Sequence, residues 1–205
     1  MSYQFIEKPI SYGRHEPEGI YLELPIANQI DIVQTWGTHP DFYAQYHYNG
    51  ISLKGYIGIG FDLSLDTPIV AVDQGRISEI NLEPHGFERY IKIEHWWGES
   101  LYARLQGIQV ESGQLVRRNS PIAFSRLHLG DLAQRFHFGI RIRPYNRYDG
   151  WGGFSDPLPF LNPELLGNIY SSPSSSDSIS PDVLNRDRLV PPLPLAIETS
   201  LMHRP

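Results

Sequence analysis

The chain has 205 residues, 40% of them hydrophobic and 20% charged, with a formal net charge of −6 and no cysteine. That length suits one domain plus some additional chain. The acidic balance and the lack of a basic run exclude nonspecific nucleic-acid binding, which needs a basic face to displace counterions. Without cysteine neither a disulfide framework nor a thiolate metal site can form. No stretch approaches the length of a membrane span, and the N-terminus lacks the apolar segment of a signal peptide. The expected location is therefore the cytoplasm, or a virion or secreted particle into which the chain is built.

Residues 1–26 read as an irregular or extended lead-in. From about Ile30 the chain becomes a series of short apolar runs broken by Gly, Pro or Asp. These runs are Ile57–Leu63, Ile69–Val72, Ile77–Ile80, Tyr90–Ile93, Leu101–Leu105, Pro121–Phe124 and Phe136–Ile142. Period-two alternation is visible in Tyr90–Glu94 and again in Phe136–Ile142, which means strands in antiparallel sheets. Only Pro40–Gln45 and Pro163–Leu166 have the look of short helices. The predicted class is all-β, with a main domain over 27–167.

After Gly167 the composition shifts to serine and proline, opening with the block Ser171–Ser176. Such a segment buries too little apolar surface to offset its ordering entropy. Its end is more apolar: Leu189, Val190, Pro191, Pro192, Leu193, Pro194 and Leu195 follow one another. Prolines hold such a run extended, and the leucines can fill pockets on a neighbour. Residues 168–205 are thus expected to be either a solvated tail or an arm that docks on another protein subunit.

Several passages in the middle of the chain carry a family likeness. Gln34-Thr35-Trp36-Gly37-Thr38-His39-Pro40-Asp41-Phe42-Tyr43 is followed by Lys54-Gly55-Tyr56-Ile57-Gly58-Ile59-Gly60-Phe61-Asp62 and by Asp66–Ile77. Then come Ile91–His95, Leu101–Leu105, Val110–Val116 and Arg135–Arg141. In order and spacing, over roughly residues 30–145, these resemble the LytM (M23) peptidoglycan endopeptidases. The resemblance implies an antiparallel β fold with a peptide-binding groove. In that family zinc is held by the His and Asp of H-x-G-x-D and by the second His of H-x-H. The first His of H-x-H and the His of Y-x-H-L assist the attacking water.

Carried over position by position, those five places fall on Tyr56, Gly60, His137, Arg135 and Arg104. Only His137 keeps the family residue. Catalytic zinc needs three protein ligands and an open water position. A phenol ionises only near pH 10, glycine has no side chain, and arginine neither binds a dication nor acts as a base. Asp62 lies two residues past the Asp place, and Tyr48–Ser52 only resembles a ligand motif. His95 occupies a position near the groove and reads as a hydrogen-bonded strand residue. The vestigial groove is therefore expected at Tyr56, Gly60, Arg104, Arg135, His137 and His95, with no catalytic residue, metal or cofactor. The two arginines are expected to pair with acids such as Asp62 or Asp73, with Tyr56 packed over the vacated place. Arg117–Arg118 reads as a solvated turn.

Three functions follow from the resemblance and its departures. The first is a catalytically inactive structural or protein-interaction module, such as a phage-tail or contractile-particle component, using the Pro-rich arm. The second is a module that still binds or regulates at peptidoglycan peptides without cutting them. The third is a hydrolase with a metal site that the motifs do not reveal.

Overall fold

A computed structural model describes residues 7–10, 14–17, 19–27, 32–82, 87–126 and 135–162. The elements run β1 (Glu7–Ile10), β2 (Arg14–Pro17), β3 (Ile32–Gln34), α1 (Pro40–Tyr43), β4 (His47–Tyr48) and β5 (Ile51–Ser52). They continue with β6 (Ile59–Phe61), β7 (Pro68–Val70), β8 (Gly75–Leu82), β9 (Arg89–Glu94) and β10 (Gly98–Ala103). Last come β11 (Leu105–Gln106), β12 (Leu115–Val116), β13 (Pro121–Ser125) and β14 (Phe136–Ile142), then a single 3-10 turn at Leu158–Phe160. The paired strands are antiparallel, as the alternation predicts. The expected Pro40–Gln45 helix is the four-residue α1.

A seven-stranded sheet in the order β12-β8-β9-β10-β14-β6-β3 forms the body, beside a three-stranded sheet β11-β13-β7. Period two divides β14 between two environments. Phe136, Phe138 and Ile140 enter the main core with Ile59, Phe61, Ile91, Ile93 and Tyr102. The intervening His137, Gly139 and Arg141 therefore face the other side of the sheet. That second face carries its own cluster of Tyr43, Tyr46, Leu53, Tyr56, Ile57, Tyr90, Leu101, Ala103 and Phe154.

Two local features differ from expectation. Ile20, Leu22, Leu24 and Ile26, placed by their sequence in the lead-in, are buried in the main core. This stretch makes only isolated bridges, Leu22 with Leu161 and Ile26 with Ile69. With so few pairs it reads as irregular, yet its alternate apolar residues close one edge of the core. The Tyr48–Ser52 passage is the β4–β5 hairpin. Its Asn49 and Gly50 both have positive φ, 49° and 77°, which a two-residue Asn-Gly turn requires. The expected helix at Pro163–Leu166, the boundary at 167 and the arm carrying Leu189, Pro191, Pro192, Leu193, Pro194 and Leu195 lie outside the described residues.

Candidate functional site

Strand register assembles the site. Gly60 pairs with Gln34 on one side and His137 on the other, and His137 in turn pairs with Ala103. Ala103 pairs with Tyr90. Directly opposed residues share a face, so Gln34, Gly60, His137, Ala103 and Tyr90 form one row across the second face of the sheet. Tyr56, three residues before β6, folds back over this row, with its ring 5.0 Å from His137 at an angle of 86°.

The side chains then lock together. Tyr56 Oη lies 2.6 Å from His137 Nδ1. The positive charge of Arg104 lies close to the Tyr56 hydroxyl. Which of the two groups donates across the Tyr56–His137 contact depends on the imidazole tautomer. The other ring nitrogen, Nε2, is buried and has no hydrogen-bond partner among the described residues. Burial holds His137 well below the usual imidazole value, and the positive charge of Arg104 adds to the effect. Burial pushes the Tyr56 phenol far above its ordinary value, against the opposing pull of Arg104. Both groups are neutral at physiological pH.

Glycine at position 60 is explained by the same packing. A Cβ there would meet Gln34 Cβ at 3.2 Å and Tyr56 Oη at 3.3 Å. Tyr56 therefore occupies the space into which a side chain at 60 would project. Arg104 follows β10 with φ 63°, a left-handed conformation that costs a non-glycine residue energy. Its Nη1 donates to the Arg135 carbonyl at 3.1 Å. Arg135 reaches Asp62 at 3.5 Å, while its own Nε is buried without a partner among the described residues. Phe87 lies against the His137 ring at 5.4 Å, and Tyr43 against Tyr56 at 5.6 Å.

His95 is not part of this arrangement. It follows β9 at the far end of β10, which puts it about a strand length, roughly 17 Å, from the row at Ala103. Its Nδ1 is 2.8 Å from the Gln74 carbonyl oxygen and its Nε2 is 2.6 Å from Ser100 Oγ. Its ring stacks on Trp97 at 4.5 Å. Asp73, a candidate partner for the groove arginines, is at that end too. It accepts from Arg118 Nε and Nη2 at 3.2 and 2.9 Å and from Trp97 Nε1 at 3.1 Å. Arg118 is thus tied to a buried carboxylate rather than simply solvated, because a carboxylate removed from water requires a charged partner.

The sequence model of peptidase family M23 matches residues 54–149. Residues 54–149 form an M23 peptidase-like domain. Among solved structures, Csd3 of Helicobacter pylori superposes with a TM-score of 0.51 at 15% identity, over 78% of this chain and 40% of that one. Lysostaphin of Staphylococcus simulans gives 0.53 at 19%, over 73% and 57%. A zinc-containing peptidase of Vibrio cholerae gives 0.50 at 20%, over 75% and 45%. At these identities the likeness shows the M23 fold, and the chain spans 40–57% of those relatives' lengths. No curated protein sequence matches it.

The M23 fold implies zinc at the Tyr56–Gly60–His137 position, and the residues there do not fit it. His137 Nδ1 is engaged by Tyr56 Oη, and burial holds Tyr56 neutral. Arg104 places a permanent charge of the same sign as the metal beside them. No three His, Asp or Glu side chains gather in a metal-holding group among the described residues. Among the described residues the cluster is a plug of neutral Tyr56 and His137 beside the permanent charge of Arg104.

Proposed function

We propose that this M23-type domain does not hydrolyse peptide bonds and acts as a structural or protein-interaction module. The observation that carries the proposal is the 2.6 Å contact of the Tyr56 hydroxyl with His137 Nδ1, beside the charge of Arg104, at the position the family motif gives to the metal. A zinc hydrolase lowers the pKa of a bound water through the charge of the ion. Here the nearest charge belongs to an arginine, which cannot take up a proton. The Pro-rich run at Leu189–Leu195 supports attachment to another protein subunit, as in a phage tail or similar particle. The test is to load the purified chain with zinc, dialyse, measure the metal by elemental analysis, and assay lysis of purified cell wall. Retention of one zinc per chain together with lysis would overturn the proposal; neither is expected.

A second reading is favoured by the charge balance of the cluster. Arg104 is 7% exposed and has no carboxylate partner among the described residues. A buried guanidinium in this state favours an incoming carboxylate. A peptidoglycan stem peptide held without cleavage would supply one. Co-sedimentation with insoluble peptidoglycan, lost in Arg104→Gln, would support this reading; a protein that stays in the supernatant refutes it.

A further inference from the structure

We propose that a cleft at the end of the sheet opposite the Tyr56–His137 plug binds a neutral saccharide. The cavity has a volume of about 370 Å³ and is lined by Gly19, Tyr21, Asp73, Gln74, Trp96 and Arg118. That volume lies in the range of small-molecule sites. It is independent of the plug, since the two occupy opposite ends of β10.

The walls are aromatic. Tyr21 is 58% exposed and Trp96 39% exposed. Aromatic rings held at the rim of a polar cavity present flat apolar faces, which suit the C–H face of a pyranose ring. The floor between them is an ion pair. Asp73 is nearly buried and accepts from Arg118, Trp97 Nε1 and the Gln74 backbone N–H.

This pairing selects the charge of the ligand. A cation would approach Arg118 and an anion would approach Asp73, so neither gains net attraction. A neutral ligand with many hydroxyl groups meets no such opposition. Arg118 uses two N–H groups on Asp73 and keeps the rest of its five-donor fork, with its side chain 44% exposed. The exposed Gln74 adds a carboxamide that both donates and accepts. Fixed planar groups with both capacities, set between aromatic faces, match alternating ring hydroxyls. A proline-rich segment also docks on aromatic grooves. Its prolines offer no N–H donors, however, so it matches the exposed Gln74 carboxamide less fully than a ring of hydroxyl groups does.

The backbone beneath the cleft is tightly fastened. His95 bridges the Gln74 carbonyl and Ser100, and stacks on Trp97, fastening the β9–β10 turn to the Asp73–Gln74 segment. Close packing continues at Gly75, where a Cβ would lie 2.5 Å from the Glu94 oxygen and 2.8 Å from His95 Nδ1. Preorganisation of this kind lowers the ordering cost of binding.

The experiment is isothermal titration of the full chain with maltohexaose, cellohexaose, mannohexaose and chitohexaose, with a synthetic peptide of residues 187–198 as a comparison. At least one oligosaccharide is expected to bind with a millimolar or tighter Kd, and the peptide is not. Trp96→Ala and Tyr21→Ala should each weaken that binding about tenfold or more, with unchanged thermal midpoints. Tyr21→Ala serves where Trp96→Ala disturbs folding, because Tyr21 is the more exposed ring. Failure of all four sugars, binding unaltered in both variants, or preference for the peptide would overturn the proposal. Zinc content and cell-wall lysis report separately on the inactive-module reading, so the two can fail independently.

Discussion

The hydroxyl of Tyr56 sits 2.6 Å from His137 Nδ1 and fills the space into which a side chain at Gly60 would project. Removing that hydroxyl isolates its contribution. Tyr56→Phe leaves the buried His137 Nδ1 without its partner, at a cost of about 1–3 kcal/mol. The urea midpoint should fall accordingly, with an unchanged denaturant slope. A midpoint equal to that of the parent would show that the hydrogen bond adds nothing to stability.

The packing around Gly60 predicts a reversal. Gly60→Asp alone forces a side chain against Tyr56 Oη and Gln34 Cβ, and should destabilise the domain by about 1–3 kcal/mol. Combining it with Tyr56→His removes the obstructing phenol and brings His, Asp and His137 together. The double variant should retain zinc after dialysis where the parent does not, and chelation should lower its melting temperature. If it retains none, the charge of Arg104 is sufficient to exclude the ion, and adding Arg104→His is the next step.

Some of this was legible in the sequence because it depends on local spacing. Period two in Phe136–Ile142 predicts which residues enter the core, and the structure brings Tyr56, Gly60 and His137, singled out by their spacing, into one cluster. Long-range pairing was not legible. Asp73 and Arg118 lie 45 residues apart, and no spacing rule connects them. Phe87 and Tyr43 reach the plug from separate segments for the same reason. His95 was misplaced because a motif gives the order of residues along β9 and β10 without saying which end of the hairpin faces the groove.

Stability should depend on pH through two histidines. Burial lowers the pKa of His95, and that of His137 lies well below the usual 6.5. The unfolded chain therefore binds more protons than the folded one once the pH drops below about 6.5. Their contribution is complete at pH 7 and above and is lost progressively as the pH falls toward the folded values. Each histidine contributes a slope of at most about 1.4 kcal/mol per pH unit. Urea midpoints measured at pH 7, 6 and 5 should decline, and His137→Gln, which keeps an acceptor for Tyr56, should reduce the decline by roughly half. An equal decline in that variant would mean that His137 protonates freely in the folded state.

Arg141 holds the cover of the second sheet face, and its loss should be felt in the loop more than in the sheet. The side chain is almost wholly buried. Its Nη1 pairs with Glu99 at 2.8 Å, Nη2 donates to Tyr48 Oη at 2.6 Å, and Nε donates to the Gly152 carbonyl at 3.0 Å. The guanidinium also lies 4.0 Å from the centre of the Phe154 ring. One planar group thus joins β10, the β4–β5 hairpin and the segment after β14. Lysine cannot reproduce three such directions from a single ammonium. Arg141→Met strands Glu99 and should cost about 3–5 kcal/mol, as expected when one partner of a buried ion pair is removed. Arg141→Lys should cost less, because it keeps the charge beside Glu99. In both variants the Lys54 amide, bonded to the Gly150 carbonyl at 2.9 Å, should exchange with solvent faster than the β9–β10 ladder amides. Equal acceleration of both sets would indicate global loosening, and would show that Arg141 supports the whole sheet rather than its cover.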